Sequence, residues 1–424
     1  MNSLNASLAS LALLFGLAAC GGSDTPAPAP APTPAPAPPP PGGGSLSTAT
    51  ITGKLLAPDG TTPLANALVY VEGSAISRGS NRPASLGVPA ADVCGTPPTA
   101  GWSYTCSAAD GTFTWDGKIP AAAKLVAVKG AFRIEQTLSA SSGTVALGDL
   151  PVPTTGGTSA RMAVVTGSFD RVQDILAKLG FGTVGAGGQL TLGTEKFDLY
   201  DGNGSLPATY KQAEALFQDA DGNGKPDIFN YAIVFLNCGT DESAASDPTR
   251  LQILRDYVNQ GGRLYVSDLA YDFVEQAFPA YIDYQGSDGT SAASAEGLGE
   301  AELGDSDITS DATLDPTLKS WLGGLTCGSA APCLNANGTA KIEGFLAGWA
   351  VMVGPHASAP SSVRVWVSGP VTFSGQTTPV SRPLTVAFSV GSGKVTYTSY
   401  HNEPFGATGF VPTERIMQFL VFEL

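Results

Sequence analysis

The sequence predicts a multidomain fold: an antiparallel β-sandwich over 48–153, then an α/β unit over 159–424 built on a parallel sheet with helices on both faces. Three observations predict it. In the first stretch, short runs alternate apolar and polar residues between Asp-Gly and Pro-rich turns, the period of a half-buried strand. In the second, apolar runs such as Met162-Ala-Val-Val alternate with segments whose apolar residues recur at helical spacing, the pattern of a parallel sheet. Ahead of both, residues 21–47 carry neither period and are dominated by Pro, Ala and Gly, so no packed structure is expected there.

Taken in order, residues 1–20 read as an export signal. Leu8 to Leu17 is an apolar run of signal-peptide length, too short to span a bilayer. It leads into Leu17-Ala18-Ala19-Cys20. Small residues before a cysteine resemble the lipobox of bacterial lipoproteins, and the resemblance implies cleavage before Cys20 and its lipidation. No Lys or Arg precedes the run, a departure from the usual positive start. Several acyl chains, at roughly 0.8 kcal/mol per buried CH2, would anchor the protein to a membrane. Gly21 after the cysteine implies, by the same resemblance, an outer-membrane address in a bacterial cell envelope. Ten prolines between Pro26 and Pro41 make 21–47 an extended, disordered tether.

In the sandwich, strands are expected at Ile51-Thr-Gly-Lys-Leu-Leu-Ala, Ala67-Leu-Val-Tyr-Val-Glu, Asp110-Gly-Thr-Phe-Thr-Trp and Lys124-Leu-Val-Ala-Val-Lys. Their order and turns resemble the carboxypeptidase regulatory-like domain, a small transthyretin-like sandwich. That resemblance implies support and spacing rather than chemistry.

In the α/β unit, strands are expected at Met162, Lys196, Tyr231 and Arg263. Helices are expected over Asp170–Leu179, closed by Gly180, from Asp247-Pro248 to Gly261, and over Asp268–Phe278. Residues 283–315, rich in Gly, Ser and acids, read as a surface insertion. Val363–Val367, a hairpin of Leu384–Val390 with Lys394–Tyr400, and a helix after Pro412 complete the unit.

Composition narrows the function classes. Net charge is −15 with only 22 Lys and Arg, and these form no cluster, so nucleic acid is not an expected partner. Cys94 with Cys106, and Cys327 with Cys333, are near neighbours between Gly and Pro. Two short-loop disulfides are their simplest pairing, as an oxidising compartment allows. Cys238 is left over, either a buried thiol or a reactive one.

Three local sequences carry a further resemblance. They are Asn230-Tyr-Ala-Ile-Val-Phe-Leu-Asn-Cys-Gly239, Gly261-Gly-Arg-Leu-Tyr-Val-Ser-Asp-Leu-Ala270 and Ser399-Tyr-His-Asn-Glu-Pro404. With the strand–helix order they resemble the class I glutamine-amidotransferase-like superfamily, whose sheet is flavodoxin-like. The resemblance implies an oxyanion loop after Leu236, a nucleophile elbow at 267–268, and His401 with Glu403 as proton shuttle and orienting acid. Where that family has Gly-x-Cys-x-Gly, this chain has Asp268, preceded by Ser267, and neither elbow glycine. A thiolate is the nucleophile such chemistry needs. A carboxylate at a helix N-terminus is expected to be more ionised and a poorer attacker of amides. Cys238 keeps the family's chain order but has no helix directly after it. Asp268, His401 and Glu403 all fall at strand carboxyl ends, where open α/β sheets bind ligands, and together they could hold a divalent metal or grip a polar group.

Asp219-Ala-Asp221-Gly-Asn223-Gly-Lys225-Pro-Asp227 is a second candidate site. Oxygens at positions one, three, five and nine, with the Lys225 carbonyl at seven and Gly224 for the turn, suit calcium. The loop resembles those of EF-hands, dockerins and thrombospondin repeats. It departs from a full EF-hand at Pro226 and at Asn230, where Glu would supply two oxygens. The expectation is structural calcium pinning the loop ahead of Tyr231. The functional expectation is a lipid-anchored envelope protein that binds a ligand, glycan or protein partner without catalysis. Its alternative is an amide or ester hydrolase using His401 and Glu403 with Asp268, Ser267 or Cys238.

Overall fold

The computed structural model describes residues 46–75, 94–139, 142–286, 297–346, 348–357, 359–403, 406 and 409–424. The expected signal segment, Cys20 and nearly all of the Pro/Ala tether lie outside the described residues. Among the described residues no helix is long and apolar enough to cross a membrane.

Seven strands form the N-terminal part: β1 (Ser47–Leu56), β2 (Leu68–Val71), β3 (Tyr104–Cys106), β4 (Thr112–Ile119), β5 (Lys124–Lys129), β6 (Phe132–Thr137) and β7 (Gly143–Pro151). They make two sheets, ordered β4-β1-β7 and β3-β2-β5-β6. β4 alternates strictly, exposed and buried, so that Phe113, Trp115 and Ile119 enter the core between the sheets. The pairing is not antiparallel throughout: β7 runs parallel to β1. The chain makes β5 and β6 in the opposite sheet before it returns, and that crossover is long enough for a parallel pair. Disulfides join Cys94 to Cys106 and Cys327 to Cys333.

The C-terminal part is organised by one ten-stranded sheet. Its strands are β8 (Met162–Val165), β9 (Asp198–Asp201), β10 (Lys211–Gln212), β11 (Ile233–Leu236), β12 (Arg263–Ser267), β14 (Ser310–Leu314), β17 (Ala340–Ile342), β19 (Arg364–Val371), β20 (Val380–Val390) and β21 (Gly393–Thr398). Four shorter strands complete the count: β13 (Ile282–Tyr284) pairs with β18 (Met352–Pro355), and β15 (Thr326–Cys327) with β16 (Ala331–Pro332). The order is β10-β9-β8-β11-β12-β21-β20-β19-β14-β17. It is parallel from β10 to β21 and antiparallel from β21 onward. β8 and β11 are buried at every residue, as strands covered on both faces must be.

Helices α1 (Val172–Leu176), α2 (Pro248–Asn259), α3 (Asp272–Glu275), α4 (Pro316–Gly323) and α5 (Pro412–Glu423) pack around it. Met162, Val164, Ile233 and Phe235 share a core with Ile175 of α1 and Met417 and Val421 of α5. Their neighbours Ala163, Val165, Val234 and Leu236 share another with Leu254 and Val258 of α2 and Val274 of α3. The period-two alternation of each strand thus feeds two helical layers.

Several elements differ from the sequence reading. The helix expected over Asp170–Leu179 is α-helical only to Leu176 and continues as a π turn to Phe181. Asp268–Phe278 divides into a 3-10 turn (Asp268–Tyr271) and the short α3. The segment read as a surface insertion, 283–315, contains β14, a strand of the main sheet. Beyond that, the core of the sandwich is continuous with the face of the sheet that carries α1 and α5. Gly180, at φ +91°, lies so close to the Pro58–Asp59 turn that a Cβ would collide with backbone.

Candidate functional site

The site is assembled at the carboxyl ends of adjacent strands. β11 is followed by Cys238, β12 by Asp268, and β21 by His401. The parallel pairing β11–β12–β21 therefore sets them side by side. All are buried: Cys238 and Asp268 are 0% exposed and His401 2%.

Asp268 begins the 3-10 turn directly after β12 with φ +44°. A non-glycine residue there is strained, and the sharp strand-to-helix turn exists without the glycines that usually permit it. Several bonds hold the position. Asp268 Oδ1 accepts the Ala350 N–H at 3.0 Å, and its carbonyl accepts the Tyr397 hydroxyl at 3.0 Å. Its Oδ2 lies 2.7 Å from His401 Nε2 and accepts the Cys238 thiol at 3.5 Å. The Nε2–Oδ2 approach is an ion-pair contact that lies off the straight hydrogen-bond direction.

His401 is oriented by backbone. Its Nδ1 donates to the Gly344 carbonyl at 2.8 Å, and its own N–H reaches the same oxygen at 2.9 Å. A carbonyl can only accept, so the proton sits on Nδ1. Two lone pairs facing each other at 2.7 Å would repel, so a second proton is held between Nε2 and the Asp268 carboxylate. Glu403, expected to orient the imidazole, does not reach it. It is exposed and forms no ion pair with His401 among the described residues. β21 ends at Thr398, and past it the strand alternation that would keep positions 401 and 403 on one side no longer applies.

Another carboxylate stands nearby, one the sequence reading missed. Asp170, after β8, is fully buried. Its Oδ1 accepts the Arg171 and Asn402 N–H groups at 2.8 and 2.9 Å. Its Oδ2 has no hydrogen bond of normal geometry, although the Ser267 hydroxyl is close enough to ease its charge. Ser267 Oγ itself accepts the Cys238 N–H at 3.0 Å, so that hydroxyl is engaged in holding the strand ends.

The electrostatics follow from burial. Burial pushes Asp170 up to about 6 against the pull of His401. Burial also raises Asp268, which is partly offset by His401, the Ala350 N–H and Cys238. This corrects the expectation of a more ionised carboxylate: loss of water outweighs the turn's dipole. For His401, burial pulls down, but the hydrogen bonding and charge of Asp268, then Asp170 and the Gly344 carbonyl, lift it above its ordinary value. Cys238 is driven far up by burial and by the Asp268 charge, so its sulfur is a thiol, not a thiolate.

The acidic loop forms a separate site. Carboxylate oxygens of Asp219, Asp221 and Asp227 lie within 4.8 Å of one another. Gly224 N–H bonds Asp219 Oδ2 at 2.9 Å and Lys225 N–H bonds Asn223 Oδ1 at 2.9 Å, folding the loop around these oxygens. Asn230 donates to Asp221 Oδ2 at 2.9 Å, so position twelve faces the cluster. Buried Asp227 also meets the Lys211 ammonium at 3.1 Å, a cation already balancing part of the charge. The hard-oxygen donor set fits calcium. Asp221 and Asp227 also line a groove of about 320 Å3 with Arg161, Asp198, Tyr210 and Tyr231.

No protein-family model matches the chain, and no curated protein does. Among solved structures it is similar to a β-galactosidase from Bacillus circulans (TM-score 0.29, 10% identity, 62% of this chain and 30% of that one). It is also similar to an exo-β-1,4-mannosidase from an Opitutaceae bacterium (0.24, 11%, 57% and 31%) and a cytoplasmic protein from Salmonella typhimurium (0.28, 11%, 61% and 98%). The chain spans about a third of the length of the two glycosidases.

Proposed function

We propose that this chain is a lipid-anchored protein of the bacterial cell envelope, held at the outer membrane, that works by binding an envelope protein or glycan and not by catalysis. The observation that carries this reading is the carboxylate at the elbow. Asp268 Oδ2 lies 2.7 Å from His401 Nε2, so the imidazole is occupied by a buried carboxylate, a poor attacker of amides. The one nearby sulfur is held as a thiol, and Glu403 faces solvent. Binding has a natural locus in the groove beside the acidic loop, where tyrosines and charged groups of both signs line one concavity. Calcium at Asp219, Asp221, Asn223, Asp227 and the Lys225 carbonyl would fix that rim.

The test has two arms. Wild-type protein and His401→Ala are screened against amide and ester substrates; turnover in the wild type that His401→Ala removes would overturn the reading. Calcium is titrated calorimetrically into wild type and Asp221→Ala. Binding is expected in the first and a loss of at least tenfold in affinity in the second. No calcium heat in the wild type removes calcium from the proposal.

One observation favours a second reading, hydrolysis of amides or esters. The strained φ of Asp268 is the backbone form of a nucleophile elbow, and Cys238 lies beside it. The same screen with Cys238→Ser and Asp268→Asn distinguishes the two, since this reading requires a loss of turnover in at least one.

A further inference from the structure

We propose that Cys238, Asp268 and His401 form a buried binding site for a zinc-class divalent cation that clips together the carboxyl ends of β11, β12 and β21. The site goes beyond the binding function proposed above and does not depend on it.

Three donor atoms converge. Cys238 Sγ, an Asp268 carboxylate oxygen and His401 Nε2 all lie within 4.8 Å of one another, on three buried residues. Sulfur, imidazole nitrogen and carboxylate oxygen together are the donor set of zinc rather than of calcium or magnesium. Each donor is already aimed. The Gly344 carbonyl takes the Nδ1 proton and leaves Nε2 as the ligating nitrogen, the arrangement that orients metal-bound histidines. The Ala350 N–H holds Oδ1 and turns Oδ2 inward. Ser267 Oγ fixes the Cys238 backbone.

A second observation points to a cation. Oδ2 of fully buried Asp170, which stands by His401, has no hydrogen bond of normal geometry. The charge of Asp170 bears on both Cys238 and His401. Two buried carboxylates thus stand by the sulfur and the imidazole, a negative charge that a dication would neutralise. On binding, the Cys238 thiol and the imidazolium each lose a proton to solvent, and the metal takes two lone pairs in their place. Glu403, a metal candidate on sequence grounds, is replaced in the set by Cys238.

The full chain is expressed in zinc-supplemented medium, purified without chelator, and its metal counted. About one zinc per chain is expected. Zinc should survive in Asp221→Ala and fall at least tenfold in Cys238→Ser and His401→Gln. Cobalt-supplemented protein should show a thiolate-to-cobalt charge-transfer band that Cys238→Ser abolishes. Metal-free wild-type protein, metal retained in Cys238→Ser, or metal lost with Asp221→Ala would each overturn the proposal. Should the variants fail to fold, the wild type decides alone, because cobalt-bound chain without the band excludes Cys238 as a ligand.

Discussion

Around Asp268 the acids are set against one another. Burial lifts Asp272 to about 6, with the Gly299 N–H working the other way. Burial lifts Glu242 to about 7, and the charges of Asp272, Asp268 and Asp241 add to it. Both groups hold a proton more tightly folded than unfolded. Between the ordinary carboxylate range near pH 4 and these raised values, folding therefore takes up protons, and stability falls as pH rises. Asp272→Asn is expected to raise unfolding free energy at pH 8 by about 1–3 kcal/mol and to change it little at pH 4. Urea unfolding at the two pH values measures this, and equal effects at both would show that Asp272 is not the source. How much of the site was legible varies with residue type. His401 stood out because the chain has only two histidines, and Cys238 because it was the odd thiol. Gly344 and Ala350 carried no signal, since they act through backbone groups that every residue has. Asp170 looked like the first acid of a helix, and only the fold shows it facing His401.

Buried Lys178, at the α1–π junction, pairs at 2.6 Å with equally buried Glu414 of α5. Glu414 also accepts the Val411 N–H at 2.9 Å and so caps its own helix. Lys178→Met would leave that carboxylate buried without its cation, at a cost of about 3–5 kcal/mol. Removing both charges, as Lys178→Met with Glu414→Gln, should recover much of the loss in chemical denaturation; a double variant as weak as the single would show that lost packing dominates. At this scale, strong local signals were readable. The Asp247-Pro248 start of α2 was found, and Asp247 does accept from Thr249 and Arg250. The same Asp-Pro signal at Asp315 starts α4 but lay at the edge of a stretch whose composition read as insertion. β14 was hidden for the same reason: its buried positions, Ser310, Ala312 and Leu314, are mostly small, so its alternation has little hydrophobic contrast.

The two parts read from sequence meet along the helical layer. Ala131 N–H donates to the Leu424 carbonyl at 2.7 Å, Lys129 pairs with Glu423, and Phe132 packs on Phe422 with ring centroids 4.8 Å apart. Trp321 of α4 donates to the Pro63 carbonyl at 2.9 Å. Gly130, at φ +55°, sits where a Cβ would overlap the Leu424 carbonyl oxygen. Gly130→Ala is expected to lower stability by about 2–3 kcal/mol. Calorimetry of the wild type should show one cooperative transition; two well-separated transitions would mean that the shared core does not couple the parts. Composition could mark the division near 153–159, but the surfaces that close it are apolar residues indistinguishable in sequence from any other core.

Lys129 and Glu423 are 294 positions apart, and that separation has a consequence for how the molecule comes into being. At roughly 5–20 residues per second, a ribosome needs about 15–60 s to go from one to the other. Phe132 gains Phe181 early in that interval but waits for Phe422 to its end, and the apolar surface that the last helix covers stays unmatched. Newborn chains must therefore be shielded from their neighbours until the final helix arrives, and crowding during synthesis is the condition under which this protein would be lost to aggregates.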